Sequence, residues 1–523
     1  YNATFYTLHP AQPTVQALAI GHGKILAAGA VEEAEAALPV HAKRIDLGGL
    51  TVLPGLTDSH LHLQHYSVGL QYVDCETPTR AECLQRVKRQ AQKTPGNTWI
   101  RGHGWNQNVW EEGFGDAVLL DEAAPNHPVY LTAKSLHAAW VNSLALQAAG
   151  IDENTPDPPD GRIQRDESGK PTGILFESAM GLVEKIIPEA TLPQVRQAIE
   201  AAQPHLWSMG LTGVHDFDRR QCFLALQELE QAGLLKLRVV KSIPLENLEE
   251  AVELGLRSGF GSPWLRIGSV KCFADGALGP QTAAMLQPYE GSVADTGILF
   301  LDSEEIVEIG QRAAGSGLSL AIHAIGDRAN HEVIKAYAQL RQFERQQNYP
   351  HLRHRIEHVQ ALHPDHLALL AQHDIIASMQ PIHATSDMDI ADRYWGKRAR
   401  YAYAFQSLAA LGVRLTFGSD APVESPNPFW GMHAAVTRQR HSGYPSPEGW
   451  YPQERLSLQQ ALEAYTLNPA YTAGRENESG KLQPGFYADL IVLEEDPFHI
   501  SPQRLFEMRP LKTMIAGEWV WER

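Results

Sequence analysis

The stretch TVLPGLTDSHLHL, Thr51–Leu63, runs from apolar and β-branched residues into two histidines spaced two apart. Residues i and i+2 of a strand share one face, so His60 and His62 can reach a single ion from the strand end. An isolated HxH carries little information; after an apolar strand and beside Asp58 it carries more. Two other phrases close in the same manner, GLSLAIH at Gly317–His323 and HRIEH at His354–His358. A fourth, GVRLTFGSD at Gly412–Asp420, closes on a carboxylate. Ligand-type side chains at the carboxyl ends of separate strands are how a (β/α)8 barrel builds a catalytic site, because strand tips and βα loops converge on one face.

Working outward, eight strand-like runs can be placed: Leu53–His60, Leu211–Asp216, Leu237–Ile243, Ile267–Phe273, Leu318–His323, Arg353–His358, Ile375–Gln380 and Val413–Ser419. Helical periodicity fills the intervals, as in Arg220–Ala232, Leu245–Ser258, Ser303–Ser316 and Asp327–Gln347. Eight alternations predict an α/β fold, a closed parallel (β/α)8 TIM barrel; a doubly wound open sheet is the alternative. Short strands and turns also occupy both chain ends, for example Ala17–Ile20, Lys24–Ala28, Ala488–Leu493 and Thr513–Trp521. They predict a small β-sandwich domain from residues 1–53 and 477–523, flanking a hydrolase barrel over 54–476. About 150 residues separate the first two barrel strands, far more than one crossover needs, so a large insertion after strand 1, about 66–200, is expected over the barrel mouth.

Composition narrows the class. A chain of 523 residues exceeds one simple core, and 43% hydrophobic with 20% charged residues is ordinary for a globular protein. The formal charge of −17, from 61 acidic and 44 basic residues, argues against nucleic acid as a partner. No apolar run reaches the length of a membrane span, and the opening YNATFYTL lacks the basic start and long apolar segment of a signal peptide. Four cysteines without a CxxC pair favour a reduced, cytoplasmic setting.

His323 and His358 each end an apolar strand, and a lone histidine there is more often a packing residue. Four strands with ligand-type residues at one end make separate structural roles improbable. Asp420, in GSDAPV, is either a helix cap or a carboxylate able to touch a metal and move a proton. Lys271, in SVKCFADG, is a poor ligand as an ammonium; as a carbamate it can bridge two ions. Its neighbour Cys272 offers a thiolate instead, and strand alternation lets only one of them face inward. Substrate contacts are expected from the insertion, at Trp105, Gln107 and His137, and from the loop after the seventh strand, at Gln380 and His383.

Taken in order, His60-x-His62, Lys271, His323, His358 and Asp420 resemble the ligand series of the amidohydrolase superfamily. The phrases VKCFADGALGPQTAA, HAIGDRAN, RIEHVQ, MQPIHATSD and FGSDAPVESPNP resemble its amidohydrolase-3 branch, which includes N-substituted formamide deformylase. RGHGWNQNVW and HAAWVNSLAL are similar to that branch too, so the likeness covers nearly the whole chain. It implies a (β/α)8 barrel, a β-domain from both termini and a divalent metal centre, commonly of two zinc ions. His60, His62 and Asp420 then hold one ion, His323 and His358 the other, with Lys271 carboxylated between them. Cys272 stands where related sequences often carry an aliphatic residue. The implied activity is hydrolysis of a non-peptide carbon–nitrogen bond in a small amide or N-formyl compound, with Asp420 as proton shuttle, and the implied assembly is a homodimer. An esterase or lactonase using the same metals, and a non-catalytic barrel, are the competing expectations.

Overall fold

The computed structural model describes residues 1–107, 110–134, 138–159 and 161–523. They form two compact units, one from Tyr1–Ser67 with Leu192–Arg523 and the other from Val68–Thr191.

The first unit contains eight barrel strands: β1 (Leu56–Leu61), β2 (Leu211–Asp216), β3 (Arg238–Pro244), β4 (Leu265–Phe273), β5 (Leu320–Ala324), β6 (Arg355–His358), β7 (Ile376–Met379) and β8 (Leu415–Phe417). Each pairs in parallel with the next in chain order. They are buried almost throughout, as parallel strands covered by helices on one side must be. Past β8 the chain returns to β1: Leu61 and Ala421 form a parallel bridge, Asp420 N–H donates to His60 O at 2.7 Å, and His62 N–H donates to Ala421 O at 2.8 Å. The barrel is thereby closed at its carboxyl end, where the site lies. Outer helices follow their apolar periodicity. Asp327–Gln347 buries Val333, Ile334, Tyr337 and Leu340, and Ser303–Gly315 starts with a capping box between Asp302 and Glu305.

The first expected strand, Leu53–His60, is two strands. Thr51–Pro54 belongs to the terminal sheet, and the barrel strand starts only at Leu56. Gly55 makes the step between sheets because a Cβ there would meet the Thr212 side chain at 2.4 Å. The terminal sheet runs Thr14–Val15, Thr4–Tyr6, Thr51–Pro54, Leu490–Leu493, Lys512–Ile515, Glu518–Glu522, and so draws strands from both chain ends. A hairpin, Ala17–Gly21 with Lys24–Gly29, packs on it through a shared core of Phe5, Val15, Ile25, Val52, Val492 and Met514.

The second unit has its own six-stranded sheet, in the order Gly161–Arg165, Pro171–Glu177, Ala138–Val141, Val129–Ala133, Ile100–Trp105, Val73–Asp74. Its core gathers Cys83, Val87, Trp105, Trp110, Leu120 and Trp140. Among the described residues no helix is long and apolar enough to cross a membrane.

Candidate metal centre

Closure of β8 against β1 brings the first three candidates together. His60 Nε2 and His62 Nε2 lie 3.4 Å and 3.5 Å from Asp420 Oδ1. Ligands held about 2.0–2.2 Å from zinc in a tetrahedron stand roughly 3.3–3.5 Å apart, so this trio has the spacing of co-ligands. The His323 and His358 rings are 4.5 Å apart, and the His358 ring is 4.9 Å from that of His60. Two of these residues depart from ordinary strand geometry. His358 has φ +75° and Asp420 φ +60°, left-handed values costly for non-glycine residues and typical of functional sites. The turn at His358 lets it face the site although Glu357, its neighbour, also does.

The second nitrogen of each imidazole is spoken for. His60 Nδ1 lies 2.6 Å from Glu357 Oε2, His62 Nδ1 3.1 Å from Asp218 Oδ1, and His358 Nδ1 2.9 Å from Gln380 Oε1. These oxygens only accept, so Nδ1 carries the proton and Nε2 is left as the electron-pair donor toward the centre. His323 is reversed: its Nε2–H donates to Gly276 O at 2.8 Å, leaving Nδ1. The supporting carboxylates are themselves fixed. Arg355 grips Glu357, with Nη2 2.9 Å from Oε2, and also donates to Ser59 O and Ser378 Oγ, both at 2.6 Å. Asp218 accepts from the Gln64 N–H at 2.5 Å and from His65 Nδ1 at 2.5 Å. Asp58 staples β1 to the turn after β8, accepting from His60 N–H, Ser419 N–H and Ser419 Oγ–H.

Electrostatics match a cation-binding role. Burial, then the Lys271 charge, lowers His60 to about 4 and His323 to about 3, and burial holds His358 well below its usual value. These imidazoles are neutral at pH 7, the form that ligates a metal. Burial opposes charge on His62, yet hydrogen bonds to Asp218 and Asp420 lift it to about 9. Burial pushes against ionisation of Asp420 as well, but His60 and the His62 hydrogen bond keep it well below the carboxylate range. Lys271 falls to about 8, through burial, opposed by Glu357 and Asp420. Its Nζ lies 4.6 Å from the Phe217 ring, which packs 4.2 Å from His60. Cys272 points the other way, toward Tyr337 of an outer helix, and burial raises its thiol to about 12. Of the two candidates at this strand tip, Lys271 faces the ligands.

The remaining expected contacts divide. Gln380 is fully buried and orients His358. His383 is buried with its Nε2 unpartnered, and one of its ring nitrogens lies within 4.8 Å of ligand atoms of His358 and Asp420. Trp105 is a core residue of the second unit, its indole N–H donating to Leu131 O at 2.7 Å. Gln107 sits half-buried in a turn of that unit. His137 lies outside the described residues. Glu357, Asp218, Phe217 and Phe273 stand at the site without having been singled out from sequence, although VHDFD at 214–218 ends a strand on two carboxylates in the same manner as the other phrases.

Four imidazoles, an aspartate and a buried lysine make a nitrogen–oxygen donor set that suits zinc and similar divalent ions, with His62 giving up its second proton to ligate. This barrel and this donor set define the class as metal-dependent hydrolases. Comparison with known proteins agrees: the model of the amidohydrolase family matches residues 43–521, and the chain belongs to that family. It is 34% identical to the protein YtcJ of Bacillus subtilis (strain 168) over 92% of this chain and 91% of that one. It is 30% identical to the N-substituted formamide deformylase of Arthrobacter pascens over 100% of this chain and 98% of that one. The crystal structure of an uncharacterised metal-dependent hydrolase from Pyrococcus furiosus superposes with a TM-score of 0.79 at 32% identity, covering 95% and 98% of the two chains.

Proposed function

We propose that this chain hydrolyses a non-peptide carbon–nitrogen bond, in a small amide or N-formyl compound, at a centre of two zinc ions. The observation that carries this reading is the placement of Asp420, whose carboxylate is 3.4 Å and 3.5 Å from the Nε2 atoms of two histidines. His60, His62 and Asp420 would hold one ion and His323 and His358 the other, and Lys271, as its carbamate, would be a ligand to them. Bound there, the ions supply a water that ionises near neutrality and a Lewis acid for the substrate carbonyl.

The chain's own residues do the rest. Asp420, anionic and partly open to the mouth, takes the proton of the attacking water and delivers it to the leaving nitrogen. That delivery matters because an amide cannot readily expel an unprotonated amine. Glu357 and Asp218 keep the HxH imidazoles in the ligating tautomer and orientation. Gln380 does the same for His358 and, with His383, meets the substrate. Likeness to N-substituted formamide deformylase supports the choice of bond. A cytoplasmic homodimer acting on small molecules, with neither nucleic acid nor membrane as partner, completes the reading.

The test is metal analysis followed by turnover of matched N-substituted formamides and formate esters. Release of amine at a metal-loaded site supports the reading. Cleavage confined to esters or lactones replaces it with the esterase alternative, and no turnover of either by the metal-loaded protein favours a non-catalytic barrel.

A further inference from the structure

Phe273 is the residue at the strand tips that burial does not explain. It ends β4, two residues after Lys271 and so on the same face of the strand. Its surroundings are closed: Lys271, His60 and His358 are 5%, 1% and 3% exposed. Phe273 itself is 50% exposed. Its ring nevertheless abuts the donor set, with its centroid 5.2 Å from that of His323 and 5.0 Å from Lys271 Nζ. One part of the ring is thus packed on the metal-binding residues while the rest is open.

The segment that follows keeps this apolar character. Phe300 N–H donates to Ala274 O at 2.7 Å, and Asp275 bridges Leu299, so residues 298–300 run beside the end of β4. Ile298 and Phe300 in that segment are each 51% exposed. Asp275 pins the strand end in place by accepting from the N–H groups of Ala284, Ile325 and Gly326 at 2.7–2.9 Å. A half-open aromatic ring seated against a reactive centre, with further exposed apolar residues on the neighbouring segment, is a binding surface.

We propose that Phe273 is a specificity-determining residue whose ring takes an apolar substituent on the nitrogen of the scissile amide. This rests on the carbon–nitrogen reading above, and the test separates the two.

The probes are n-alkylamines, the products of such a reaction, from ethylamine to hexylamine. Their binding to the metal-loaded protein is read by calorimetry, so no turnover is required. A methylene transferred from water to an apolar surface contributes up to about fourfold in affinity. The wild type should bind each longer amine more tightly, by about two- to fourfold per methylene, until the surface is covered. Phe273→Ala should flatten this series and Phe273→Leu should keep much of it, with the same metal content and Tm in both variants. Equal slopes in wild type and Phe273→Ala, or no slope or no binding in the wild type, overturn the proposal. Turnover of N-alkylformamides is scored separately: if it is absent while the amine series still depends on Phe273, the bond assignment fails and the apolar wall stands.

Discussion

At the scale of single residues, Asp420 is the carboxylate on which the two histidines at the end of β1 converge, 3.4 Å from His60 Nε2 and 3.5 Å from His62 Nε2. His60, His62, His323, His358 and Asp420 end apolar strands, a pattern visible in one dimension. Glu357 is invisible in that way. It reads as one more polar residue in RIEH, and its role depends on β1 lying across the barrel from β6, with His60 Nδ1 2.6 Å away. The left-handed turn at His358 likewise hides that consecutive residues serve one site. Two predictions belong here. Asp420→Asn removes the proton acceptor and should lower kcat by about 10²–10⁴-fold with a folded protein, checked by turnover and circular dichroism. Glu357→Gln keeps the shape but weakens the brace on His60 and leaves Arg355 without its buried carboxylate; metal affinity should fall about 10–100-fold, read by chelator competition, and Tm should fall as well.

At the scale of elements, strand order followed from alternation, but strand boundaries did not. Thr51–His60 reads as one run although Pro54–Gly55 interrupts it; Gly55 separates the two pieces because the neighbouring Thr212 leaves no room for a Cβ. Gly418, after β8, is constrained by the same logic at the closing seam. A Cβ there would stand 2.4 Å from His60 N and 2.7 Å from Asp58 Oδ1. Gly418→Ala should therefore destabilise by about 1–3 kcal/mol and reduce metal content, measured by denaturant unfolding and elemental analysis. A second contact ties the entry of β6 to the chain beyond the last barrel helix: Arg353 binds Glu476 through two bonds of 2.8 Å and 2.6 Å. Burial works against the Glu476 charge, but Arg353 outweighs it and lowers the pKa from 4.5. A folded pKa below the unfolded one means stabilisation above pH 4.5 that is lost as pH falls through the folded value. Thermal unfolding should show wild type above Glu476→Gln near neutrality, with the gap closing as pH drops below about 4.5.

At the scale of the whole molecule, the barrel, its kinship with metal-dependent hydrolases and a terminal sheet built from both chain ends could be read from the sequence, because each leaves a periodic or motif-level trace. The internal sheet of residues 68–191 is legible only as excess length after the first barrel strand, since its strands are short, from two residues at Val73–Asp74 to seven at Pro171–Glu177. Binding of ions to the folded chain alone should couple stability to metal. Chelation should lower Tm and zinc should restore it, with a stabilisation of about 2.7 kcal/mol at a hundredfold excess over Kd. The central claim, that side chains from five strand ends converge on metal, is tested most directly by anomalous diffraction at the zinc edge from crystals grown with zinc. The account predicts one peak about 2.0–2.2 Å from His60 Nε2, His62 Nε2 and Asp420, and a second beside His323 Nδ1 and His358 Nε2. Peaks confined to other residues, or none at this end of the barrel, would contradict it.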